Sequence, residues 1–149
     1  MNTLIKVVST FFYLGYLPKM PGTFGTFGAL LFYCLLVKMF HFGFSELGLT
    51  TLIIIILSII SSHYSIKIFE SDDPKKVVID EVAGYFVVLL FVPFTIGNLL
   101  CGFVLFRLFD VWKPFPLNKL ENLHGGLGIT LDDVGAGIVA NLILRLIAF

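Results

Sequence analysis

Apolar residues in this chain come in long runs, interrupted by a few short polar segments. Leu47 to Ile66 passes without an Asp, Glu, Lys or Arg, and its roughly 20 residues match one membrane-spanning helix. A second uncharged run extends from Val82 to Phe106. As one helix it would be about 37 Å long, enough to cross once with tilt. Pro93, Gly97 and Asn98 interrupt it in VPFTIGN, and these are turn and helix-breaking residues. The pattern therefore predicts two short helices forming a hairpin, over 82–93 and 98–112. Further apolar segments run from Ala29 past Lys38 to Phe42, and from Val134 to Phe149 with only Arg145 inside, a side chain able to snorkel to the interface. The N-terminal MNTLIKVVSTFFYLGYLP lacks a small-residue cleavage site and a basic leader, so it does not read as a removed signal peptide. It predicts an interfacial or re-entrant helix over 3–14.

The hairpin decides the topology. With it, the PGTFGTFG segment, the Asp80–Glu81 pair and the Asp110–Asp133 stretch all emerge on one face. Seven of the ten basic residues lie in these polar segments: Lys19, Lys67, Lys75, Lys76, Arg107, Lys113 and Lys119. Lys/Arg-rich loops tend to remain cytoplasmic, so the shared face is expected to be the cytoplasmic one. A single crossing at 82–106 would divide the acids between the two sides.

Composition supports a small polytopic membrane protein. Only 13% of residues are charged and 17 are Phe, with a mean hydropathy of +1.00; a soluble domain carries roughly a quarter charged residues. Residues 1–149 are expected to form one membrane-embedded domain. Net charge is zero and no basic run exists, which argues against nucleic acid. Cys34 and Cys101 lie in apolar stretches and are expected as buried, unpaired packing thiols.

The chemistry is concentrated in three segments. GYLPKMPGTFGTFG (15–28) has two prolines and four glycines from Gly15 to Gly25 and beyond, which makes a helix improbable over Pro18–Gly25. Its glycines would let backbone N–H groups approach an anion, with Lys19, Thr23 and Thr26 adding a charge and hydroxyls. The terminal Gly-Lys-Ser/Thr of a P-loop is missing, and a plain tight loop also fits. In VIDEVAGYF (78–86), Asp80 and Gly84 share a helical face, although acids that merely complement a helix dipole would look the same. In residues 106–137, Asp110 and Lys113 are three apart before Pro114, HGGLG (124–128) forms a turn edged by an imidazole, and Asp132–Asp133 open the last helix. Gly135 and Gly137 permit close helix approach. Six of the ten acids, Asp80, Glu81, Asp110, Glu121, Asp132 and Asp133, interrupt apolar runs in this way, and Asp72–Asp73 lead into the first pair. Ionisable groups at membrane segments are functional candidates, and gathered carboxylates suit a hard divalent cation. His41 and His63 read as structural. Carboxylates, lysines and a glycine-rich loop at a membrane face suit metal-assisted work on a phosphate. No Gly-x-Ser-x-Gly elbow or Cys–His nucleophile is evident.

Taken together, PGTFG, DEVAG, FDxxKPxP, HGGLG and LDDVxAG in this order resemble the phosphatidylglycerophosphatase A family of bacterial lipid phosphatases. The resemblance covers residues 15–28, 78–86 and 106–141. It implies an all-α, polytopic membrane helix bundle with short, partly re-entrant helices. It also implies Mg²⁺-dependent removal of phosphate from the phospholipid phosphatidylglycerophosphate at the cytoplasmic face of the bacterial inner membrane. Asp80, Glu81, Asp110, Asp132 and Asp133 fall on its acidic positions and would hold metal. Lys19, Lys113 and His124 fall on its polar positions. On this reading Asp80, Asp132, Asp133 and Lys113 carry the catalysis, while Lys19, Gly22, Thr23, Gly25, Thr26 and His124 bind substrate. Water attack and an aspartyl-phosphate on Asp132 or Asp80 both remain open. The rival is a small ion or metabolite carrier, which predicts acids near helix midpoints and a pseudo-repeat of the two halves; the sequence shows neither.

Overall fold

A computed structural model describes residues 2–72 and 74–148, with the side chains of Glu121 and Asn122 also outside the description. Asp73 and the Glu121 carboxylate therefore lie beyond it. The described chain is helical throughout: α1 Asn2–Ser9, α2 Pro21–Met39, α3 Phe44–Phe69, α4 Ile79–Val88, α5 Ile96–Trp112 and α6 Gly126–Ala148, with short 3₁₀ turns at Leu14–Tyr16 and Leu117–Asn122. α2, α3 and α6 are long and apolar enough to cross a membrane.

The interrupted apolar run is a hairpin. α4 stops at Val88 and α5 starts at Ile96. Thr95 caps the new helix by accepting from the Asn98 N–H at 3.1 Å, and Asn98 Nδ2 donates to the Pro93 carbonyl at 2.9 Å. Both bonds satisfy groups that a chain reversal in apolar surroundings would otherwise leave bare. The hairpin tip meets the α2–α3 connection: Phe91 stacks near Phe44 with ring centres 6.0 Å apart, and Lys38 Nζ lies 5.9 Å from the Phe94 ring centre. Arg145, near the end of α6, lies over Phe91 as well. One end of the bundle thus holds the hairpin tip, and the polar segments gather at the other.

α4 is the central helix, packed against α2, α3, α5 and α6. Every residue from Val82 to Val88 is buried. Only ten residues long, it spans about 15 Å, so its last carbonyls face apolar side chains rather than water. Side chains from its neighbours supply the donors. Asn141 Nδ2 reaches the Val88 and Leu90 carbonyls at 2.7 and 2.9 Å, Arg145 reaches Leu90 at 3.2 Å, and the Tyr33 hydroxyl reaches Leu89 at 3.4 Å.

Four boundaries differ from the sequence expectation, the first being the leading hairpin helix, which covers Ile79–Val88 rather than 82–93. The glycine-rich segment is not a loop, because α2 begins at Pro21 and runs through Gly22, Gly25 and Gly28. Proline is tolerated at a first helical position, and these glycines serve close packing: a β-carbon on Gly25 would lie 2.7 Å from Val78, and one on Gly28 would strike Leu14 and Phe11. α6 starts at Gly126, so Asp132 and Asp133 lie well inside it rather than at its opening. Gly125, with φ +70°, makes the turn into that helix, and neither Gly125 nor Gly126 has space for a β-carbon beside His63. At the N-terminus α1 ends at Ser9, and Phe11, Phe12 and Tyr13 turn the chain with positive φ. Eight residues, about 12 Å, are too few to cross a bilayer. Both cysteines are unpaired, as expected, but only partly buried where they pack against the core.

Candidate active site

Two glycines bring the acids together. Asp80 precedes Gly84 by four residues in α4, and Asp133 precedes Gly137 by four in α6. The helices touch at these glycines. A β-carbon on Gly84 would lie 2.7 Å from the Asp133 carbonyl oxygen, and one on Gly137 would strike the Gly84 carbonyl. Small residues allow such backbone-to-backbone approach. Because both helices run away from the polar end, each acid sits one turn above the crossing, on the face turned to its partner.

As a result Asp80, Glu81 and Asp133 offer carboxylate oxygens within 4.8 Å of one another. Asp80 is 8% exposed and Asp133 4%. Asp80 Oδ1 and Glu81 Oε2 are buried without a hydrogen-bond partner. Three neighbouring carboxylates, two with orphaned oxygens, repel one another in a poorly screened setting. A cation fits them: an all-oxygen donor set is the kind that hard divalent ions take.

Around this cluster stand ion pairs. Arg107 on α5 pairs with Asp110 one turn later, and its Nη1 lies 4.0 Å from Glu81 Oε1. Gly22, in the first turn of α2, makes room for this pair; a β-carbon there would strike Glu81 Oε1 and lie 3.1 Å from Arg107 Nη1. α5 ends because Lys113 adopts a left-handed conformation, φ 43°, before Pro114. Lys113 Nζ then donates to Asp132 Oδ2 at 2.6 Å.

The cluster forms part of the lining of an open cavity of about 760 Å³. All three polar segments contribute: residues 19–23, 72–81 and 107–133. Of the residues expected at the site, Lys19, Gly22, Thr23, Asp80, Glu81, Asp110, Lys113, His124, Asp132 and Asp133 line it. The structure does not bring Gly25 or Thr26 there. Gly25 is packed under Val78, and the buried Thr26 hydroxyl donates to the Gly22 carbonyl of its own helix at 2.9 Å. Nor do Asp110 and Asp132 join the three-carboxylate group among the described residues; they hold Arg107 and Lys113 instead. Sequence reasoning passed over Arg107 and Lys75, which also line the cavity. The signal for Arg107 was its place three residues before Asp110 in an otherwise apolar helix.

Charge in the lining is unbalanced. Among the described residues, six acids (Asp72, Asp80, Glu81, Asp110, Asp132, Asp133) face four cations (Lys19, Lys75, Arg107, Lys113). A phosphomonoester, with about −1.5 to −2 charges near neutral pH, would be repelled by that excess of acid unless the carboxylates also held a cation.

Known proteins resemble this chain along most of its length. A family described as phosphatidylglycerophosphatase A matches residues 7–148. A Bacteroides thetaiotaomicron protein that carries the provisional name phosphatidylinositol-3-phosphatase is 33% identical, over 93% of this chain and 89% of its own length. Phosphatidylglycerophosphatase A of Escherichia coli is 33% identical, over 89% of this chain and 77% of its own. The Haemophilus influenzae protein of the same name is 29% identical, over 97% and 89%. No solved structure matches.

Proposed function

This chain belongs to the phosphatidylglycerophosphatase A family, and from that premise we propose that its cavity hydrolyses the terminal phosphomonoester of phosphatidylglycerophosphate to phosphatidylglycerol and phosphate. Residues 1–149 act as one membrane-embedded phosphatase domain, with the cavity on the cytoplasmic face of the bacterial inner membrane, where Lys- and Arg-rich segments are retained. The observation that carries this reading is the convergence of Asp80, Glu81 and Asp133 inside a cavity also lined by Arg107 and Lys113.

Asp80, Glu81 and Asp133 would hold Mg²⁺, which when bound neutralises phosphate oxygens and acidifies water. The rest is the work of side chains. Arg107 presents a planar guanidinium to the phosphoryl oxygens, the geometry that suits a fork of two hydrogen bonds. Asp110 fixes the orientation of that guanidinium. Lys113 adds a positive charge where negative charge develops. Asp132, held by Lys113, accepts a proton from the attacking water. The new P–O bond forms, the bond from phosphorus to the glycerol oxygen breaks, and that oxygen takes up a proton. The acyl chains remain in the bilayer beside the short helices.

The test is phosphate release by the purified protein from short-chain phosphatidylglycerophosphate, with Mg²⁺ and after chelation. Phosphatidylinositol 3-phosphate runs in parallel, because one relative carries that name. Release from the first substrate that stops on chelation and returns with Mg²⁺ is expected. Release from the inositol lipid alone would overturn the substrate, and turnover indifferent to chelation would overturn the metal.

A further inference from the structure

The cavity's four cations divide into two kinds. Arg107 and Lys113 are engaged with acids beside the carboxylate cluster. Lys19 and Lys75 line the same cavity from another part of the chain, and both are exposed. Neither takes part in an ion pair identified among the described residues.

Their placement is built. Lys19 has φ +75°, a left-handed conformation that a residue with a side chain rarely adopts. It stands just before α2, where glycine would make the same turn without that cost. Lys75 lies in the turn from Pro74 to Val77, closed by a 2.8 Å bond from the Val77 N–H to the Pro74 carbonyl. That turn is pressed against Gly15, where a β-carbon would strike the Lys76 carbonyl. The two lysine-bearing segments are thus fixed to each other. The next residue shows that not every lysine here serves the cavity, because Lys76 Nζ lies 4.8 Å from the Tyr16 ring centre and 5.7 Å from that of Phe69.

The geometry points to Lys19 and Lys75 as a second anion subsite, one that receives the phosphodiester of the lipid headgroup while Arg107, Lys113 and the acid cluster take the monoester. The inference rests on the phosphatidylglycerophosphate reading above and deepens it. That substrate carries two phosphates joined through one glycerol. A cavity with one cation pair engaged with acids and another pair in no ion pair identified among the described residues, although Asp72 lines the cavity as well, matches a headgroup with one reacting and one spectator phosphate. The lysines are then binding residues for the spectator group, and their effect falls on KM rather than kcat.

The experiment compares three probes on wild type, Lys75→Ala, Lys19→Ala and Lys75→Arg: KM for short-chain phosphatidylglycerophosphate, inhibition by short-chain phosphatidylglycerol, which has only the diester, and inhibition by inorganic phosphate. In each alanine variant, KM and the phosphatidylglycerol inhibition constant are expected to rise together by about tenfold, the scale of one lost charge-assisted hydrogen bond. The phosphate inhibition constant should move less than about twofold, since only the spectator contact is lost. Lys75→Arg, which keeps the charge, should restore most of the affinity. An unchanged KM, or a phosphate constant that rises as much as the other two, would overturn the second subsite. Failure of the wild type to cleave phosphatidylglycerophosphate would instead overturn the function on which the subsite depends.

Discussion

The two ends of α4 treat buried polar groups in opposite ways. At its C-terminal end, the Val88, Leu89 and Leu90 carbonyls receive side-chain donors from Asn141, Tyr33 and Arg145. At its N-terminal end, Asp80 and Glu81 are set beside Asp133, and two of their oxygens have no donor. The helix is the same and its surroundings are apolar along most of its length, so the contrast is not one of local propensity. Unmet hydrogen bonds in such surroundings cost about 1–3 kcal/mol each. The bundle supplies donors to the carbonyls at one end of α4 and leaves carboxylate oxygens without them at the other, although Ser62, Ser65 and Arg145 Nε, away from the cavity, are also buried without a partner. An acid cluster with more carboxylate than nearby cation, held in place by the packing around it, is able to take up a cation.

Substitutions that exchange the behaviour of the two ends sharpen this contrast. The largest effect on turnover is expected from Asp80→Asn or Asp133→Asn, with phosphate release falling by about a hundredfold or more. Without divalent cation these variants should melt at or above the wild-type temperature, because a repelling charge has gone. Asn141→Leu should do the reverse, lowering stability by about 1–3 kcal/mol as the buried Val88 carbonyl loses its donor and the Leu90 carbonyl keeps only Arg145, while turnover per folded molecule holds; chemical denaturation with parallel assays separates the two. Gly137→Ala, by parting α4 from α6, should cost about 1–3 kcal/mol and also reduce turnover, linking the ends through the crossing that aligns them. Tyr33→Phe removes a single long bond and should cost no more than about 1 kcal/mol, with turnover unchanged.

Much of this arrangement was legible in the sequence, and what was not has physical reasons. Pro93, Gly97 and Asn98 disclosed the hairpin, since a reversal in apolar surroundings needs residues that can turn and cap. The spacing of Asp80 to Gly84 announced an acid with space beside it, and Gly137 announced a close crossing. The PGTFGTFG segment was misleading because glycine and proline count as breakers only where the helix interior must be stable alone. At a first turn and against close neighbours they permit packing instead. Asp132 and Asp133 looked like a helix opening because the glycines before them concealed where α6 starts. The separation of Asp132 from the three-carboxylate group could not be read from spacing, because Asp132 meets Lys113 of α5 only through tertiary placement, whereas Arg107 and Asp110 are one turn apart in a single helix.

Asp80, Glu81 and Asp133 are expected to form one cation site. Thermal denaturation of the purified protein titrated with Mg²⁺, in the wild type and in Asp133→Asn, tests it without reference to turnover. A ligand at one hundred times its dissociation constant stabilises the folded state by about 2.7 kcal/mol, so the wild type should melt at progressively higher temperature while Asp133→Asn responds weakly or not at all. Equal stabilisation of both proteins, or none of the wild type, would contradict it.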